Sequence, residues 1–267
     1  MRVTMFAQSQ RTRVATATVL GIGCVLALVP SSATAEVDVQ RESPVRAAYW
    51  QMNSTIADTT PEYLGGSSLN LHDGANIYPG TDDDPAILGS GHLSLDGSTG
   101  YASTSDPLVN VEEGFTLIAR ARPTSVVSDH DMTVMALRGH NTNLVEIKYS
   151  AEAHAWRVVA SKTDTADSET VTIDHRIPPL LEPTGQAIGV TYDAISGEMT
   201  LWVAGYAQTP KQVTFAGPWS ITGFQVGRGI GDDAYFSGAI DEVRVYAGVC
   251  SPDLMYDLSG YYELPEL

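Results

Sequence analysis

The stretch YFSGAIDEVRVYAG, residues 235–248, sets two adjacent acids, Asp241 and Glu242, inside an alternating apolar run. Neighbouring strand residues point to opposite faces, so simple alternation groups Asp241 with Val243 and Val245, and Glu242 with Arg244. If the valines enter a core, the Asp241 carboxylate enters with them. It then needs backbone amides, an opposite charge or a metal. Calcium takes carboxylate and carbonyl oxygens gathered from separate loops, which makes Asp241 the first candidate metal ligand. An aspartate accepting N–H bonds from a neighbouring turn would meet the same need without metal. Glu242 reads as a solvated partner of Arg244.

Catalytic chemistry finds less support. Glycoside hydrolysis needs two carboxyl groups about 5–10 Å apart across one sugar bond, hence acids at even spacing on one strand face. The close acid pairs Asp82/Asp84, Asp129/Asp131 and Asp232/Asp233 all lie in turn-like sequence, and Asp241 and Glu242 point apart. His130, between Asp129 and Asp131, has the neighbours of a metal ligand or proton shuttle, and equally those of a solvated loop. The sequence has no His-Glu-x-x-His, no Gly-x-Ser-x-Gly and no phosphate-cradling glycine loop. No catalytic residue is assigned. Sugar binding needs a flat exposed aromatic beside polar groups. Trp202, facing away from its strand's apolar residues, and Trp219, in a loop, are the candidates.

The elements that must position these residues are strands. Alternating or apolar segments at 47–52, 68–71, 92–95, 115–121, 133–137, 144–149, 155–161, 170–173, 187–192, 199–203, 224–226 and 239–246 are separated by Gly, Asp, Asn, Ser and Pro every ten residues or so. The rhythm predicts an all-β sandwich or barrel. QAIGVTYDAISGEMTLWVAG is the clearest hairpin, and SPDLMYDLSG the one helical turn, with Ser251 placed to cap it.

The N-terminus reads as a signal peptide over residues 1–35: arginines, the apolar run VLGIGCVLALVP, then a small-residue Ala33-Thr34-Ala35 site. The expected product is exported and, after cleavage, does not insert in a membrane. Cleavage would remove three arginines and no acid from a chain of 15 basic and 32 acidic residues, moving the formal charge from −17 to −20. Nucleic acid is a poor partner for that charge. Cys24 would leave with the peptide, so Cys250 has no internal disulfide partner and reads as a small buried apolar residue. Residues 36–45 read as a linker, 46–260 as one domain and 261–267 as a tail.

Four segments carry a family resemblance: LSLDGSTGYASTSDP, GFTLIARARPT, IGVTYDAISGEMTLWVAG and FSGAIDEVRVYAG, in that order, preceded by AAYWQMNS and IADTT. Together they resemble the laminin-G-like jelly-roll domains of the concanavalin A-like lectin and glucanase superfamily. The resemblance implies a two-sheet antiparallel jelly-roll sandwich that binds carbohydrate or protein and often holds a structural calcium ion. Asp58 and Asp96 fall at recurrent positions of that family and join Asp241 as candidate Ca²⁺ ligands, although Asp96-Gly97 also reads as a turn. The Glu-x-Asp-x-(x)-Glu strand of the related glucanases has no counterpart here. The expected function is an extracellular binding or adhesion module for glycan or protein, with a structural or assembly domain that takes no small ligand, or a diverged glycoside hydrolase, as the alternatives.

Overall fold

Period-two apolar patterning produces seventeen strands in the computed structural model, which describes residues 43–125, 128–217, 219–230 and 234–260. In chain order they are β1 (Val45–Trp50), β2 (Thr59–Thr60), β3 (Leu69–His72), β4 (Asn76–Pro79), β5 (Gly91–Asp96), β6 (Tyr101–Thr104), β7 (Phe115–Pro123), β8 (Met132–Arg138), β9 (Asn143–Ser150), β10 (Ala155–Ser161), β11 (Thr170–Asp174), β12 (Gln186–Asp193), β13 (Glu198–Val203), β14 (Tyr206–Ala207), β15 (Lys211–Gln212), β16 (Gly223–Val226) and β17 (Ser237–Ala247). All twelve strands expected from the sequence form. The proposed signal peptide, most of the linker and the tail lie outside the described residues, as do Asp232 and Asp233.

The strands build two antiparallel sheets. The first runs β14-β13-β12-β7-β17-β5-β4, with β1 added beside β17 and β15 beside β13. The second runs β11-β10-β9-β8-β16-β6-β3-β2. One apolar core lies between them. Trp50 of the first sheet stacks on Phe224 of the second at 5.6 Å between ring centroids, both fully buried, and the indole N–H of Trp50 donates to the Ser67 carbonyl at 2.9 Å. Trp156 is likewise buried, its N–H on Gln186 Oε1 at 2.7 Å.

A second, smaller apolar cluster covers the outer face of the first sheet. Ser251 caps helix α1 (Pro252–Leu258) by accepting from the Leu254 amide at 3.2 Å, with Pro252 in its first turn. Met255 and Leu258 then pack on Ile118, Trp202, Tyr246 and Cys250. Gly189 permits this approach: a Cβ there would stand 2.7 Å from the Leu117 carbonyl and 3.0 Å from Met255 Cε. Burial pushes the Cys250 thiol up to about 11, which keeps it protonated and unreactive.

The acids of β17 sit at a break in the pairing. On one edge, β17 pairs with β5 as far as Ile240 and with β1 from Val243 onward. On the other edge, three steps from Asp241 to Arg244 face only two from Arg120 to Ile118 on β7, and Glu242 takes a φ of +54°. This is a β-bulge, and it shifts the alternation by one residue. Ile240, Val243 and Val245 therefore enter the core together, while Asp241, opposite Arg120, faces outward. The grouping of Asp241 with the valines is thereby corrected, because alternation holds only in an unbroken strand.

Outward does not mean solvated. Asp241 is 0% exposed and Glu242 2%, beneath β1 and the chain around Leu88. Asp241 Oδ2 accepts from the Leu88 amide at 2.9 Å, and Oδ1 from the Glu242 amide at 2.8 Å. Glu242 is held by the Tyr49 hydroxyl at 2.7 Å and by Arg244, whose guanidinium lies 4.2 Å from the Tyr49 ring centroid. The expected solvated Glu242–Arg244 pair is thus a buried one.

Burial, reinforced by the Glu242 charge, raises the Asp241 carboxyl well above its usual range, against the pull of the two amides and Arg244. The folded chain then holds this proton after the unfolded chain, at about pH 4, has lost it. The contribution to stability is present below about pH 4 and is lost as pH rises through the folded value. Urea unfolding of the wild type and Asp241→Asn between pH 4 and 8 should show stability shifting steadily toward the variant as pH rises. A pH-independent difference would contradict this.

Candidate functional site

Calcium needs oxygen donors, but Asp241 is ringed by donors of the wrong sign: two backbone N–H groups point at its carboxylate, so the surroundings do not fit a cation. Asp96 is similar. Its oxygens accept from the amides of Ser98, Thr99 and Gly100, each at 2.9 Å, and from the Ser98 and Thr99 hydroxyls. The Thr99 amide foremost holds its carboxyl below the usual range, and the arrangement is that of a turn. Asp58 is exposed on a shallow cleft it shares with Asp73, and its backbone carbonyl accepts from the Leu71 amide. Among the described residues no cluster of three or more His, Cys, Asp or Glu is arranged to hold a metal.

The two tryptophans divide. Trp202 is 7% exposed beneath α1, with its indole N–H on Thr191 Oγ1 at 2.9 Å, and it lines a cleft with Thr200 and Leu254. The strand pattern put it on the outer face, as observed, but did not show that α1 covers that face. Trp219 is half-buried. It meets Phe215 edge-on, and its Cζ3 stands 2.7 Å from where a Gly139 Cβ would be, at the end of β8. His130 pairs with Asp129 in an exposed loop. Asp131 binds Lys148 at 2.9 Å and accepts from the Ala151 amide.

A polar cluster also lies on the first sheet. His92, 1% exposed, has Asp84 at 3.6 Å from Nε2 and no partner on Nδ1, and it lines a cavity of about 410 Å³ with Ser94 and Arg122. Burial pushes the imidazole pKa down, so the ring is the neutral form despite its acidic neighbour. No hydrogen bond joins Ser94 to the ring, so the group lacks a nucleophile–base pair.

The outer face of the second sheet differs from all of these. Strand register aligns one row of residues across all eight strands: Thr59, Asn70, Ser103, Gln225, Ala136, Glu146, Val159 and Thr172, each directly opposite the next. Most are polar, and those at the centre are buried, with Gln225 at 6% and Glu146 at 9% exposure. Gly229 contributes to that cover. A Cβ on it would lie 2.5 Å from Thr133 Oγ1 and 2.7 Å from Glu146 Oε1, so only glycine lets the chain after β16 lie against the carboxylate.

The partners along this row are incomplete. Glu146 accepts from Thr133 Oγ1 at 2.5 Å and from Asn143 Nδ2 at 3.1 Å, with Lys148 at 3.8 Å. Yet Gln225 Oε1 in the row, and Asn143 Oδ1, Arg138 Nε and Arg228 Nε outside it, are buried without a protein partner. Each such atom costs about 1–3 kcal/mol unless water or a ligand supplies what is missing. Aromatic rings flank the row. Arg228 lies 4.8 Å from the Tyr101 ring centroid and 5.2 Å from that of Tyr235, and His72 stacks on the other side of the group at 4.3 Å from Tyr101.

None of these residues stood out in the sequence, where each is one polar residue of an alternating strand. Their signal is register, which brings eight separate strands into line. If Gln225 Oε1 is kept for a ligand, Gln225→Met should raise urea-derived stability by on the order of 1 kcal/mol, since it removes a costly unpartnered oxygen at similar volume. Loss of 1 kcal/mol or more would mean that the oxygen has a structural partner.

The comparisons with known proteins agree with this architecture. Among solved structures, domain 4 of AbnA, a GH43 extracellular arabinanase from Geobacillus stearothermophilus in complex with arabinotriose, aligns at 16% identity and TM-score 0.59 over 82% of this chain and 100% of that one. The botulinum neurotoxin type G receptor binding domain aligns at 8% identity and TM-score 0.57 over 80% of this chain and 51% of that one. Trypanosoma rangeli sialidase, in complex with the inhibitor DANA, aligns at 13% identity and TM-score 0.59 over 79% of this chain and 32% of that one. The chain therefore spans all of the first, half of the second and a third of the third, and at these identities the likeness concerns the fold alone. No curated protein sequence matches the chain. The model of the concanavalin A-like lectin/glucanases superfamily matches residues 96–254. That is more than half of the sequence, and the chain belongs to that superfamily.

Proposed function

We propose that this protein is an exported, non-catalytic carbohydrate-binding module whose ligand lies on the outer face of the second sheet. The observation that carries the proposal is the row through Gln225 and Glu146, with its unpartnered buried oxygens and guanidinium nitrogens between aromatic side chains. Sugars offer both hydroxyls, for such atoms, and apolar C–H faces, for a ring such as Tyr235. The superfamily, and a full-length fold match to an arabinanase domain described with an arabinotriose, support the same class of ligand. Export rests on the N-terminal sequence.

The absence of catalysis rests on the chemistry of the row. Glu146 is its one carboxylate, already engaged by Thr133, Asn143 and Lys148, and Lys148 also holds Asp131. Burial opposes ionisation of Asp131, but Lys148 and the Ala151 amide outweigh it and hold the carboxyl below its usual range. A glycosidase acid needs the opposite, a carboxyl raised toward neutrality.

Calorimetric titration against a panel of neutral and acidic oligosaccharides should find a ligand, and Gln225→Met or Asn143→Leu should weaken it by about tenfold, near 1.4 kcal/mol. Incubation with the corresponding polysaccharides should release no new reducing ends. Binding unaffected by both substitutions would remove the site, and acid-dependent release of reducing ends would show an enzyme.

A further inference from the structure

We propose that the saccharide taken by this face is acidic, and that Arg228 is the residue that receives its carboxylate; this rests on the binding role just proposed. The chain is strongly acidic, with 32 acidic against 15 basic residues. The outer face of the second sheet nevertheless gathers Arg138, Lys148, Arg157 and, just past β16, Arg228. Two of these are neutralised within the fold: Arg157 by Asp174 at 2.6 Å and Glu152 at 3.3 Å, and Lys148 by Asp131 and Glu146. Arg138 and Arg228 have no carboxylate partner among the described residues, and both keep a buried, unpartnered Nε. In a protein with more than twice as many acids as bases, two half-buried guanidinium groups on one face without an acid among the described residues could have their charge balance completed by an outside anion.

The setting of Arg228 is also specific. Tyr101 and Tyr235 hold it from two directions, and His72, fixed by Ser103 Oγ at 2.8 Å from its Nε2, backs the Tyr101 ring. A guanidinium held in this way has lost much of its side-chain freedom before any ligand arrives. The fork of N–H groups along its edge matches the two oxygens of a carboxylate. The Tyr235 ring beside a carboxylate fork suits a uronic or sialic residue, which joins an apolar ring face to a planar anion. Gln225 and Asn143 then lie along the same sheet face to meet hydroxyls of the sugar and its neighbours.

The test is calorimetric titration of the protein with matched pairs: oligogalacturonate and its methyl ester, sialyllactose and lactose, dextran sulfate and dextran. The wild type should bind a carboxylated member at least about tenfold more tightly than its neutral counterpart. Arg228→Gln should abolish that preference, weakening the carboxylated member by at least about tenfold more than the neutral one. Arg228→Lys, which keeps the charge but not the fork, should recover only part of it. Thermal unfolding of each variant verifies that it is folded, and Arg138→Gln provides a second variant on the same face, expected to reduce the same preference. Equal affinity within the pairs, binding to neutral sugars alone, or an unchanged preference in Arg228→Gln overturns the acidic-ligand inference and leaves the binding module standing. Preference for dextran sulfate over every carboxylated sugar overturns the carboxylate assignment. Failure to bind any saccharide overturns both.

Discussion

A polar atom taken out of water must find a partner, and that constraint orders most of what distinguishes this sandwich. An unpartnered buried donor or acceptor costs about 1–3 kcal/mol, comparable to a sizeable fraction of a domain's net stability. Where β17 changes neighbour from β5 to β1, the ladder breaks and leaves backbone amides without their strand partners. Asp241 accepts from one of them, that of Glu242, and from the Leu88 amide of the chain that covers the break, and Glu242 is itself held by Tyr49 and Arg244. Two acids inside a strand are thus the consequence of a bulge that the strand cannot pair for itself.

The same constraint separates the two outer faces. On the first sheet, α1 and its apolar cluster cover Trp202, Tyr246 and Cys250, and Tyr49, Glu242 and Arg244 close into a network, while Arg46 Nε and His92 Nδ1 keep no partner. On the second sheet, the polar row is aligned and buried at its centre, yet Gln225, Asn143, Arg138 and Arg228 each keep an atom without a partner. Four of these atoms gather on one face of the second sheet, the face that the binding proposal assigns to a ligand.

Much of the fold was legible in the sequence. Strands such as β7 and β12 carry unbroken alternation, the β12–β13 hairpin has Asp193 and Gly197 at its turn, and Ser251-Pro252 marks the start of α1. The short strands β2, β4, β6, β14 and β15 were missed: four residues or fewer hold too little periodicity, and they form only because a longer neighbour pairs with them. The site was much less legible. Glu146 between Val145 and Ile147, or Gln225 between Phe224 and Val226, reads as an ordinary outward residue, since alternation gives the face but not what else shares it. Asp241 was drawn to the wrong side by a bulge that depends on pairing partners far away in sequence, and Trp202 was judged by its strand without the helix that later covers it.

The side-chain amide resonances of Gln225 and Asn143 offer the most direct test that this face is the binding surface. Followed by NMR while the tightest-binding oligosaccharide is titrated in, both should shift with the saturation curve of the calorimetric isotherm, while the Trp202 indole N–H beneath α1 stays in place. Saturation with the Gln225 and Asn143 signals unmoved would place the ligand elsewhere and contradict the assignment of this face.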